Sequence, residues 1–213
     1  VRTIEECETE MKNDISVETA LMERRQLAGS KDVSKHLSKR LGRESISADD
    51  DYFSLKEMEQ NNRHKQFQNV DYGLEPNIKN SPGGLRDIHT VMWIALKRHK
   101  TASKRELVKL GVLTRTELRL LTAAEKFLRH TRFGLHLISK NKEDRLRFMY
   151  QRELSTKLDY RGSAGKPDVE KFMQKYYRHV LAIQEINTIV IQSFRENLSC
   201  LLYTSDAADE LSC

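Results

Sequence analysis

Apolar residues recur every three to four positions over most of this chain, a spacing that predicts a series of amphipathic helices. From 2 to 28 the marks are Ile4, Cys7, Met11, Ile15, Ala20, Leu21 and Leu27, with Asp14 ahead of the stronger half and Gly29 placed to close it. Val33, Leu37 and Leu41 mark a short amphipathic piece, followed by a polar stretch through Asp51. Residues 52–68 read as a helix with few anchors, Phe53, Leu55, Met58 and Phe67. Leu85 to Lys100 carries a stripe at Ile88, Val91, Met92, Ala95 and Leu96. Thr114 to Ser139 opens with Thr114 and, three residues on, Glu117, the pattern of a capping box. Its apolar side is Leu118, Leu121, Phe127, Leu128, Leu135 and Ile138. A basic linker and a short helix lead to a loop after Tyr160. Pro167 and Asp168 then open the last long helix, marked by Val169, Phe172, Met173, Tyr176, Val180, Ile183, Ile186, Val190 and Phe194.

One stretch departs from that period. In "YGLEPNIK", residues 72–79, Tyr72, Leu74, Pro76 and Ile78 alternate with Gly73, Glu75, Asn77 and Lys79, which is the strand period. Pro76 cannot donate to a ladder, so such a strand lies at an edge or leaves that position unpaired. "NSPGG" then turns the chain into the next helix. The fold class expected is therefore mainly α, a helical bundle with one short strand at about 72–79. Ser199 to Cys213 does not continue the period of the last helix; it reads like translated adaptor sequence and is set aside as a tail.

Composition narrows the class. Charged residues make up 32% of the 213 positions and aromatics 7%, with nine glycines and three prolines, a balance that suits a soluble helical protein. No apolar run reaches the ~18 residues of a membrane span and no signal-peptide pattern opens the chain. Cys7, Cys200 and Cys213 form no CxxC pair, which argues against a disulfide framework or zinc site and for a cytoplasmic setting. The first residue is Val1, and the opening reads as the middle of a longer protein. A net charge of +6 favours polyanionic partners without choosing among them; a solvated basic surface accounts for it equally well.

The odd stretch concentrates chemistry. A carboxylate on a strand, Glu75, can ligate Mg²⁺, and Lys79 two pleats on can neutralise phosphate charge. Gly83 and Gly84 permit a nest of amides ahead of a helix, and Arg86 can fork onto a phosphate or carboxylate. The plainer reading is that Pro-Gly-Gly only turns strand into helix and that Arg86 pairs with an acid. His64 and His89, and a polar face bearing Arg129, Arg132 and His136, are further candidates, as are Arg145 and Arg147; a solvated or packed role suits each. Trp93 reads as a packing residue rather than a platform for a base. Gly29-Ser30 followed by Asp49, Asp50 and Asp51 mimics a nucleotidyltransferase turn and Asp-x-Asp pair, but the gap is too long and reads as helix.

"LEPNIKNSPGGLRDIHTVMWIALKRH" resembles the signature of the bacterial protein-PII uridylyltransferase/uridylyl-removing family. "KEMEQNNRHKQF", "RFGLHLISKNKEDRLRF" and "VEKFMQKYYRHVLAIQEIN" resemble that family's neighbouring helices, so the likeness spans about residues 1–198. The resemblance implies transfer of UMP from UTP to a tyrosine of the PII signal protein, with Mg²⁺, and no nucleic-acid or membrane partner. It implies residues 1–83 as the end of a nucleotidyltransferase α/β core begun upstream and 84–198 as a helical bundle domain. It also places two metal carboxylates upstream of Val1, leaving Glu75 as a third and Lys79, Gly83, Gly84 and Arg86 at the nucleotide. The fragment alone is then expected to be inactive. Two other readings stay open: a glutamine synthetase adenylyltransferase, which would want Asp-x-Arg-Leu-Arg-Pro where this chain has Glu-Pro-Asn-Ile-Lys, and a non-catalytic helical module that binds a protein.

Overall fold

Helix caps set most element boundaries. The computed structural model describes residues 2–43, 49–67, 73–101, 103–160 and 168–209. Thr3 and Glu6 form a capping box that starts α1 (Ile4–Asn13). The Asp14 carboxylate accepts from the Ser16 N–H at 2.7 Å and starts α2 (Ile15–Met22). The helical spacing over 2–28 resolves into two helices that divide at Asp14, because the aspartate cap gives the Ser16 amide a partner outside the helical ladder. Gly29, with φ +95°, lies in the connection after α2 rather than at a helix end. Next come α3 (Lys31–Arg43), α4 (Asp49–Gln66), α5 (Leu85–His99), α6 (Lys104–Lys109), α7 (Arg115–Ser139), α8 (Phe148–Lys157) and α9 (Val169–Asp209). Thr114 and Glu117 make the expected capping box at the start of α7. The backbone of α9 stays helical to Asp209, into the segment set aside as a tail. An established helix extends at little cost per residue, so a break in apolar period does not by itself end one.

The fold is mainly α, as expected. α9 runs along α7, α5 and α8, and α4 closes the bundle against α5. Ile88, Val91, Ile94 and Ala95 of α5 meet Leu121, Ala124, Leu128 and Leu135 of α7, Leu154 of α8, and Phe172, Tyr176, Ile183, Ile186, Val190 and Phe194 of α9. Phe53 of α4 and Ile78 of the odd stretch join this same core. α2 is fastened by polar groups instead. Glu18 pairs with Lys97 of α5 at 2.6 Å, both buried, and the Thr19 hydroxyl lies 2.9 Å from the Tyr52 hydroxyl of α4. Among the described residues no helix is long and apolar enough to cross a membrane.

The eight-residue strand shrinks to one antiparallel bridge, Asn77 to Arg145. The Ile78 N–H donates to the Asp144 carbonyl and the Leu146 N–H to the Pro76 carbonyl, each at 2.8 Å. Beyond that, pairing stops for local reasons. Gly73 and Leu74 are helical, Pro76 has no N–H to offer, and the Asn77 side chain accepts from the amides of Lys79 and Asn80. An asparagine that captures the amides two and three residues on makes a turn out of what would have been ladder. Tyr72 lies outside the described residues.

Candidate functional site

The turn between that bridge and α5 is closed by its own backbone. The Gly84 N–H donates to the Ser81 carbonyl, Leu85 to Ile78, Arg86 to Lys79 and Asp87 to Gly84, at 2.8 to 3.1 Å. The Gly83 N–H donates to Asp87 Oδ2 at 2.7 Å. Each amide of the expected anion nest thus has an internal partner, and Gly83 and Gly84 serve close packing instead. Gly83 has φ +75°, and a Cβ there would come within 2.6 Å of Val180 Cγ1 on α9. At Gly84, which precedes α5, a Cβ would lie 2.8 to 2.9 Å from three carbonyl oxygens of the turn.

Asp87 is the centre of this arrangement. It is fully buried, and its carboxylate accepts from Arg63 Nη2 at 2.7 Å and sits 2.9 Å from His64 Nε2, besides the Gly83 amide. Arg63 also donates from Nη1 to the Asn80 carbonyl, so one guanidinium ties the end of α4 to both ends of the turn. The Asp87 carbonyl accepts from Asn187 of α9, whose side chain exchanges hydrogen bonds with Gln60 of α4 at 2.7 and 3.2 Å. A buried carboxylate is tolerated when charged partners and an amide answer its oxygens. Beside it a cleft of about 580 Å³ opens between α4 and α9, lined by Gln60, Asn61, His64, Asp87, Gln184 and Asn187 among others.

The expected site residues divide. Glu75 Oε1 accepts from the Phe148 N–H at 2.8 Å, capping α8, and Oε2 pairs with Arg145 at 3.2 Å. Both oxygens have partners within the chain. Among the described residues no group of three or more His, Cys, Asp or Glu side chains could hold a metal ion, so these side chains do not make a complete metal centre by themselves. Lys79 and Arg86 differ from Glu75. The Arg86 N–H donates to the Lys79 carbonyl at 2.9 Å, which makes the two residues neighbours, and neither side chain has an acidic partner among the described residues. The Arg86 guanidinium lies 5.2 Å from the centre of the Trp93 ring, which Lys56 Nζ approaches to 4.9 Å. Trp93 is buried, as its packing role requires.

His89, one turn past Arg86, is pushed below the ordinary imidazole range by burial first and by the Arg86 charge second. Arg129, Arg132 and His136 on α7 each meet an acid of this chain. Arg132 and His136 both reach Asp144, and Arg129 pairs with Glu125. Burial raises the pKa of Asp144, but the hydrogen bonds from Arg132 and His136 outweigh it and leave it lowered. Arg147 pairs with Glu143. Asp49 to Asp51 form the first turn of α4, far in sequence from Gly29.

Sequence pattern alone assigns no site role to Asp87 or Arg63 and leaves His64 one candidate among several. The available signal was two polar pairs, Arg63-His64 and Arg86-Asp87, flanking the one irregular stretch. Nothing local says that the aspartate faces inward.

A family model described as GlnD PII-uridylyltransferase matches residues 51–191, from the start of α4 to well along α9. The bifunctional uridylyltransferase/uridylyl-removing enzyme of Stutzerimonas stutzeri (strain A1501) is 42% identical over 196 residues. The enzymes of that name from Pseudomonas fluorescens (strain SBW25) and Pseudomonas aeruginosa (strain LESB58) are each 38% identical. In each case 92% of this chain is covered, but only 22% of the relative's length.

Proposed function

This chain belongs to the GlnD PII-uridylyltransferase family, and from that membership we propose that it is part of an enzyme that moves UMP from UTP to a tyrosine of PII. The same enzyme removes UMP through parts outside this chain. Lys79 and Arg86 contact the anionic substrate here. The observation that supports this assignment is the backbone hydrogen bond that joins the two residues, together with two cationic side chains that no acid answers among the described residues. A carboxylate or phosphate arriving there would meet charge-assisted donors rather than displace an existing pair. The Arg63–Asp87–His64 hub has a positioning role: it fixes the turn that carries Lys79 and leads to Arg86. Glu75 caps α8 and belongs to the scaffold.

Three outcomes test the proposal. Given UTP, Mg²⁺ and PII, the 213-residue chain alone leaves PII unmodified, read by mass spectrometry; robust labelling would show that the chemistry is complete within it. In a full-length relative, replacing the residue that matches Arg86 by alanine lowers kcat/KM for UTP by roughly 10- to 100-fold, the equivalent of losing a hydrogen bond to a charged group. Glu75→Gln at the matching position keeps the rate within about tenfold and lowers thermal stability by about 1 kcal/mol through the weakened cap. A loss of several orders of magnitude at Glu75→Gln with unchanged melting would instead return that carboxylate to the reacting phosphate.

A further inference from the structure

A second cavity, of about 480 Å³, lies where α7, the end of α8 and α9 meet, and shares no lining residue with the cleft beside Asp87. Four basic side chains surround it: Lys126 and His130 of α7, Lys175 and His179 of α9. No acid lines it, and among the described residues none of the four has a hydrogen-bond or ion-pair partner. The neighbouring surface follows the opposite rule. Lys104 and Arg129 share Glu125, Arg132 holds Asp144, and Arg145 holds Glu75. Two lysines without an acidic partner, beside a surface of paired charges, are a place where an anion gains most.

The walls are aromatic. Lys175 Nζ stands 5.5 Å from the centre of the Phe127 ring and 5.6 Å from that of Tyr160. The His179 imidazole stacks on Phe127 with centroids 4.7 Å apart. Deeper in the wall Thr131 is fully buried, and its hydroxyl has no hydrogen-bond partner, a state that costs free energy unless a ligand or water answers it. Burial, and then the charges of Lys175 and Arg178, lower the pKa of His179.

We infer that this cup binds a small organic anion carrying a flat ring. A bare inorganic anion would answer the lysines but leave Phe127 and Tyr160 in water; a neutral ring would cover the aromatics and leave the charges unanswered. The volume falls within the range of about 300–1,000 Å³ typical of small-molecule sites. The site goes beyond UMP transfer and does not depend on it.

Phenyl phosphate tests the inference, titrated into the chain by calorimetry, with inorganic phosphate and phenol as its two halves. Phenyl phosphate is expected to saturate, with each half binding at least about tenfold more weakly. Lys175→Met, at an exposed position, weakens phenyl phosphate about tenfold or more with an unchanged circular dichroism spectrum. Thr131→Val weakens it as well while the melting temperature stays the same or rises, because a buried unanswered hydroxyl is removed. Arg86→Ala leaves the affinity unchanged, which separates this cup from the substrate contact proposed at the signature turn. Inorganic phosphate binding as tightly as phenyl phosphate, or wild-type affinity in both Lys175→Met and Thr131→Val, would overturn the inference.

Discussion

Replacing Asp87 by alanine is expected to destabilise the bundle by about 3–5 kcal/mol, the range for removing one partner of a buried ion pair. The carboxylate is fully buried and receives Arg63, His64 and the Gly83 amide at 2.7 to 2.9 Å. Its loss leaves the Arg63 side chain, 11% exposed and already without a partner at Nε, as a charge held away from water. It also leaves the Gly83 N–H unanswered inside the turn. For a domain of this size such a change corresponds to a fall in melting temperature of roughly 6–20 °C. Asp87→Asn should cost less, since the amide oxygen can still accept from Gly83. Pairing Asp87→Leu with Arg63→Met should recover much of the loss, because no charge is then stranded. Urea unfolding of the three variants measures all of this. A cost below about 1 kcal/mol for Asp87→Ala would mean that the hub does not hold the turn.

Gly83→Ala is expected to destabilise by roughly 2–5 kcal/mol, from two separable causes. The backbone has φ +75°, which an L side chain adopts at a cost of about 1–2 kcal/mol. The new Cβ would also stand 2.6 Å from Val180 Cγ1 and closer still to the Val180 carbonyl oxygen, so the α9 backbone must move. Overpacking of that kind adds about 1–3 kcal/mol. Gly29→Ala supplies the control: its φ is +95°, but nothing lies within 4 Å of the added carbon, so only the conformational part should appear. Adding Val180→Ala should not rescue Gly83→Ala, because the nearer obstacle is a backbone oxygen. Equal costs at the two glycines, measured by thermal or urea unfolding, would show that the turn does not press against α9.

Glu75 illustrates why a carboxylate's role is hard to read in advance. Alternation of apolar and polar residues around it predicts an exposed strand face, and a resemblance to nucleotidyltransferases places a metal there. In the fold, the segment that pairs with 76–78 is 144–146, and it brings Arg145 and the open amide of Phe148 to that side chain. Those partners lie about 70 residues away. Asp87 has the reverse history: it sits in the first turn of a helix, where an acid suits the dipole on the surface, and packing of α4 turned it into the buried centre of the site.

The sequence by itself determined the helices, several of their caps and the apolar faces that became the core. These depend on residues one to four positions apart: Thr114 and Glu117 meet wherever α7 lies, and Phe172, Tyr176, Ile183 and Val190 share a face wherever α9 packs. Tertiary structure alone decided which charges were neutralised. Arg63 and His64 reach Asp87, Arg145 reaches Glu75, and Lys79, Arg86 and Lys175 meet no acid among the described residues. Electrostatic interactions act over a few ångströms in space and take no account of distance along the chain, so only the packed arrangement separates a fold-holding charge from one left for a ligand.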